Sequence, residues 1–204
     1  YRKLEKDLYQ YEELIPALDH SSGYRILRQD PWETTISFII SANNHIRNIK
    51  NSVELLCQSL GQPISFEGKK YYTFPTPEAL AQASIAQLGA SRCGYRARYI
   101  KGTAEKIASG QVDLGEIKDL TSQQASQELV KLPGVGPKVA HCIMLFSMQK
   151  FDAFPVDVWI KRALETLYFK GKDTPTKELQ AFAENRFGSQ AGFVQQYLFR
   201  YFRG

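Results

Sequence analysis

The sequence predicts an all-α protein, on three observations. Apolar residues recur at helical spacing, as at Ile36, Ile39 and Ile40, at Val53, Leu56 and Leu60, and at Val139, Ile143 and Phe146. Punctuation falls where helix ends belong: Gly61-Gln62-Pro63, Thr73 to Pro77, Leu132 to Gly136, and Thr174-Pro175. Strand alternation is scarce; Tyr71-Tyr72-Thr73-Phe74 is the only candidate and reads as a loop or a short edge. About ten helices are expected, packed by the rules of non-bundle helical folds.

Along the chain, Asp30-Pro31 opens a helix carrying Trp32 to Ile40. Ser91 to Ser109 reads as one basic helix, and Asp113 to Lys131 as two shorter ones. A helix from Pro137 ends near Met148, and two closing helices run from about Pro175 to Phe202.

The composition narrows the function. A chain of 204 residues with 43% hydrophobic content supports one sizeable core or two small lobes. No run approaches the ~20 apolar residues of a membrane span, and no secretory signal is seen, so an intracellular protein is expected. That means the cytoplasm or nucleoid of a prokaryote, or the nucleus of a eukaryote. Because the chain begins at Tyr1, a missing amino-terminal portion is expected. The net charge of +5 suits a polyanionic partner. Three scattered cysteines (Cys57, Cys93, Cys142) and three scattered histidines form neither a disulfide framework nor a zinc or iron–sulfur site.

The most informative stretch is Leu132-Pro133-Gly134-Val135-Gly136-Pro137-Lys138. Gly134 and Gly136 make a tight turn whose backbone amides are open to close approach. Pro137 begins a helix at a position where its missing N–H costs nothing. The unpaired amides and helix dipole of that first turn form an anion site, for which DNA phosphate is the natural ligand of a basic protein.

Lys138 is the second residue of this helix, where the dipole and partial burial are both expected to lower its pKa and make it a nucleophile. Taken alone, such a lysine is far more often a phosphate or solvent contact. The second element is Ala153-Phe154-Pro155-Val156-Asp157-Val158-Trp159, with Asp157 at the N-cap of the next helix. A carboxylate returned towards the Lys138 turn could offset a cationic transition state.

These strings identify a family. L-P-G-V-G-P-K-V-A-x-C followed by A-F-P-V-D-V resembles the helix-hairpin-helix DNA glycosylase superfamily. Leu27 to Pro31, Phe38 to Asn44, Gly94 to Tyr99, and Ala191-Gly192-Phe193 through Leu198-Phe199 look like motifs of its 8-oxoguanine branch, in that branch's order over about residues 20 to 204. The resemblance implies a helix-hairpin-helix glycosylase fold of two helical lobes flanking an active-site cleft. Residues 31–131 would form a six-helix lobe, and residues 1–30 plus 132–204 a second lobe with the hairpin and catalytic residues. The family's amino-terminal β domain, which distinguishes 8-oxoguanine from guanine, would be absent from this chain.

The resemblance also implies a base-excision repair glycosylase/lyase acting on double-stranded DNA, monomeric, with no cofactor and no iron–sulfur cluster. Backbone carbonyls of such hairpins can hold a monovalent cation. Lys138 would be the nucleophile and Asp157 its electrostatic partner. Cys142 and Phe199 would hold the flipped base, with Gln195 on its edge. Asn43, Tyr95 and Arg96 would fill the vacated space, and amides around Gly134, Gly136 and Val139 would grip phosphates. Two departures stand out: Asn48, with Arg47 one place earlier, replaces an arginine that reads the opposite cytosine, and Trp159 replaces a phosphate-contacting histidine. The competing readings are a glycosylase for another oxidised purine and a non-catalytic DNA-binding module. Binding alone needs neither Lys138 nor Asp157, which speaks against the module.

Overall fold

Helix boundaries in the computed structural model, which describes residues 1–204, follow the capping chemistry written in the chain. The elements are α1 (Arg2–Leu8), α2 (Ile15–His20), α3 (Pro31–Ser41), α4 (Ile46–Leu60), β1 (Pro63–Phe66), β2 (Lys69–Tyr72), α5 (Pro77–Gln82), α6 (Ile85–Ala90), α7 (Arg96–Ala108), α8 (Leu114–Asp119), α9 (Ser122–Leu129), α10 (Pro137–Ser147), α11 (Val158–Tyr168), α12 (Thr176–Phe187) and α13 (Ala191–Arg203). The Asp30 carboxylate accepts from Glu33 N at 2.9 Å, with Pro31 in the first turn, so α3 starts where expected. Ser84 with Gln87 and Thr121 with Gln124 form capping boxes that start α6 and α9.

The fold is all-α apart from one small hairpin. Several helices have only six or seven residues, too short to display a period, which is why more helices exist than apolar spacing reveals. The antiparallel pair of β1 and β2 resolves this region as the short edge rather than the loop, with the strand at Lys69–Tyr72 instead of 71–74. Its register is Ile64 opposite Tyr71 and Phe66 opposite Lys69. Glu67 and Gly68 both adopt positive φ (48° and 71°), as a two-residue primed turn requires. Both strands are largely exposed, so no buried face imposes the alternation that would mark them in the sequence. The single basic helix expected over Ser91 to Ser109 is also corrected. Arg92 and Gly94 take positive φ (58° each), so the chain turns there and α7 begins at Arg96.

The chain divides into two units, residues 29–143 and residues 1–28 with 144–204. In the first, Ile36, Ile39, Ile40, Leu56, Leu80, Leu88, Ile100, Leu129 and Leu132 are buried. The 132–136 turn groups with this unit because it packs on α7: Thr103 Oγ1 donates to Pro133 O at 2.9 Å, and Gly102 lies under the Pro133 ring. In the second unit, Leu8, Leu14 and Leu18 join Phe154, Ile160, Leu164, Leu179, Val194 and Leu198 in one core. Gly192 lets α13 approach the 151–153 loop. Its N–H donates to Phe151 O at 2.7 Å, and a Cβ there would strike Leu145. No helix is long and apolar enough to cross a membrane.

Candidate functional site

The residues 29–143 carry the turn and the lysine. Val135 N donates to Leu132 O (3.1 Å) and closes the turn, with Gly134 at φ 81°. The first bond of α10 runs from Ala140 N to Gly136 O (2.9 Å), so the amides of Lys138 and Val139 precede any intrahelical acceptor. With the helix dipole they make a first turn able to receive an anion. Gly136 is exposed, and nothing lies within 4 Å of where its Cβ would be, which leaves room for a ligand backbone. Leu132 O and Pro133 O each accept one protein donor and keep one lone pair.

Lys138 is half-buried, and its Nζ lies 5.5 Å from the centroid of the Phe38 ring on α3. Phe38 is a site neighbour that the sequence reading used only as part of a motif; its partner comes from α10, a hundred residues on, and no local pattern announces it. Cys142 follows Lys138 by one helical turn and is 3% exposed. Burial pushes the Cys57 and Cys93 thiols up to about 11, so neither is a competing nucleophile near neutrality.

At the far end of α3, Asn43 is exposed and left-handed (φ 49°), and the Asn44 amide donates back to Ile40 O at 3.1 Å. Tyr95 is 58% exposed and stands at the start of α7. Arg96 is 8% exposed, with its guanidinium on the carbonyls of Ala42 and Asn43 and 4.5 Å from the Tyr95 centroid. Thus Asn43, Tyr95 and Arg96 are brought together. Asn48 lines a cavity of about 310 Å³ with Asn44, Asn51, Arg92 and Arg96, whereas Arg47 does not.

The other unit carries Asp157. Its Oδ1 accepts from Trp159 N (3.0 Å) and Ile160 N (2.9 Å), so it caps α11 as its place in the sequence indicated. Oδ1 alone makes both cap bonds, and the residue is only half-buried. Gln195 is 4% exposed; its Nε2 donates to Pro155 O at 3.1 Å and its Oε1 accepts from Gln196. It therefore pins the loop leading into Asp157, a tie that sequence could not show. Phe199 is half-buried against the core, with the Arg203 guanidinium 5.2 Å from its centroid. Trp159 lies beside Arg162, at 5.5 Å. No cluster of three or more His, Cys, Asp or Glu side chains is placed to hold a metal.

The chain belongs to the HhH-GPD superfamily of base excision DNA repair proteins, whose pattern matches residues 36–187. It is 35% identical, over 97% of its length and 70% of the relative's, to a probable N-glycosylase/DNA lyase of Methanothermobacter thermautotrophicus. The N-glycosylase/DNA lyase of Arabidopsis thaliana is 36% identical over 88% of this chain; the chain spans 52% of that relative. The solved 8-oxoguanine glycosylase/lyase of Clostridium acetobutylicum, in complex with double-stranded DNA containing cytosine opposite 8-oxoguanine, superposes with a TM-score of 0.96 at 44% identity. That match covers 100% of this chain and 70% of the other.

Proposed function

We propose that this chain excises 8-oxoguanine from duplex DNA and then nicks the strand, through a Schiff base on Lys138. The observation that carries the reading is the half-buried Lys138, held over Phe38 directly behind a turn built to receive phosphate. The close likeness to an enzyme solved with an 8-oxoguanine duplex supports the substrate.

A base inside a duplex is out of reach, so the lesion must be extruded. Asn43 and Tyr95 occupy the vacated space, Tyr95 offering a stacking face. The family's pattern assigns Cys142, Phe199 and Gln195 to the flipped purine, Gln195 through the donor and the lone pair that its bonds to Pro155 and Gln196 leave over. The Lys138 nitrogen attacks the anomeric carbon, the N-glycosidic bond breaks, and the base departs with its electron pair. Asp157 stabilises the oxocarbenium charge that develops, as a glycosidase carboxylate does. Ring opening gives the Schiff base. Loss of a proton from C2′ then expels the 3′ oxygen, and the strand breaks. Gly134, Gly136 and Val139 hold the phosphates of the damaged strand.

The test is borohydride trapping on an 8-oxoguanine duplex. Wild type should give a covalent adduct that Lys138→Gln loses. A wild type that forms no adduct on any lesion duplex refutes the reading. Asn48 offers a donor and an acceptor in place of a guanidinium, so adducts should form with all four opposite bases.

A further inference from the structure

Arg96 is more deeply buried than a residue that only reads DNA needs to be. Its Nε donates to Ala42 O at 2.9 Å, and its Nη2 donates to both Ala42 O and Asn43 O, the latter at 2.9 Å. Three of the five guanidinium N–H donors are therefore engaged by two consecutive carbonyls. Those carbonyls belong to the two peptides that flank Asn43, which is in the left-handed region, where asparagine is tolerated better than most non-glycine residues but still gains from being held. The same guanidinium lies 4.5 Å from the Tyr95 ring centroid, and Tyr95 packs edge-on against Tyr99 at 6.0 Å. One cation thus fixes the backbone of Asn43 on one side and the ring of Tyr95 on the other.

We propose that Arg96 is a positioning residue that binds Asn43 and Tyr95 into a single rigid wedge, and that its main service to excision is independent of the base opposite the lesion. The inference rests on the glycosylase reading above. An arginine that reads the opposite base acts through contacts which vanish when that base is removed. A strut acts through the wedge and is indifferent to what it faces. Lysine could reach both carbonyls, as Lys101 Nζ reaches Ala81 O and Ala83 O, but it lacks the planar fork that supplies three donors here while lying against the Tyr95 ring.

The test measures single-turnover excision on 8-oxoguanine duplexes bearing either cytosine or an abasic residue opposite the lesion. Arg96→Ala should slow excision by up to about 100-fold, the scale on which a misplaced wedge acts. The loss should be the same on both duplexes, and Arg96→Lys should recover part of it. In Asn43→Ala the further change Arg96→Ala should have much less effect than in wild type, since the strut then has less to hold. Melting temperatures separate these effects from unfolding, and Arg96→Lys, which keeps the buried stem and charge, serves if Arg96→Ala does not fold. A loss confined to the cytosine duplex overturns the proposal, as does full additivity of the two substitutions. A wild type that cannot be trapped on either duplex overturns the proposal and the glycosylase reading together, whereas trapping with an opposite-base-dependent Arg96 effect overturns the strut alone.

Discussion

Gly134 and Tyr99 touch so closely that a Cβ on Gly134 would lie 2.7 Å from Tyr99 Cβ and 2.9 Å from Cγ. The same glycine sits at φ 81°. Both facts disfavour a side chain: the close contact comes from the packing of the turn on α7, and the positive φ from the turn that Val135 N and Leu132 O close. Gly134→Ala should therefore destabilise the protein by about 1–3 kcal/mol. Gly136 differs: no positive φ and open space around its Cβ position. Gly136→Ala should keep stability within about 0.5 kcal/mol yet weaken duplex binding, because the methyl group stands where a phosphate must approach. Thermal unfolding paired with fluorescence anisotropy on undamaged duplex separates the two. Equal melting losses in both variants would contradict this division of labour.

Lys138 and Phe38 give a second expectation. A cation 5.5 Å over an aromatic ring gains about 0.5–2 kcal/mol, depending on desolvation. Phe38→Leu keeps an apolar side chain but removes the ring, leaving the lysine stem free to sample other directions. The rate of borohydride-trapped adduct should fall by about tenfold while the melting temperature changes little. An unchanged rate would show that Phe38 does not orient the nucleophile.

Much of this site is legible in the sequence itself, for identifiable reasons. The cap at Asp157 and the start of α3 at Asp30-Pro31 are local chemistry, written in a few adjacent residues. The tie from Gln195 to Pro155 and the stacking of Lys138 on Phe38 join segments 40 and 100 residues apart, which periodicity cannot connect. Arg96 shows the gap most clearly. Its place in the G-Y-R-A-R-Y string suggested a DNA contact, whereas its burial depends on a turn at Arg92 to Gly94 that the helical spacing concealed. Of the exposed hairpin only the Tyr71-Tyr72 edge could be read in the sequence, because strands without a buried face carry no alternation.

Gln195 supports a third expectation. Its amide satisfies Pro155 O and the Gln196 side chain, all within a nearly water-free region of α13. Gln195→Leu preserves the volume approximately and leaves both partners unsatisfied, at a cost of about 1–3 kcal/mol. The melting temperature should drop, and excision should slow further than stability alone explains, because the loop leading to Asp157 loses its tether. Denaturant unfolding and single-turnover excision on the same preparation check both halves. A variant as stable as wild type would contradict the tether.

The last expectation concerns pH. Glu5 accepts a 2.9 Å hydrogen bond from the Tyr197 hydroxyl, with Arg25 3.3 Å away, and so ties α1 to α13. That hydroxyl chiefly holds the Glu5 carboxyl below its ordinary value of 4.5; partial burial opposes it, and the Gly23 backbone and Arg25 assist. A carboxylate whose folded pKa is depressed stabilises the fold above its unfolded pKa, and the contribution is lost as pH falls through the folded value. Glu5→Gln should therefore melt below wild type at neutral pH, and the gap should close as pH falls below about 4. Melting curves of both proteins between neutrality and about pH 3 measure it. A gap that stayed constant across that range would mean that Glu5 contributes by packing rather than by charge.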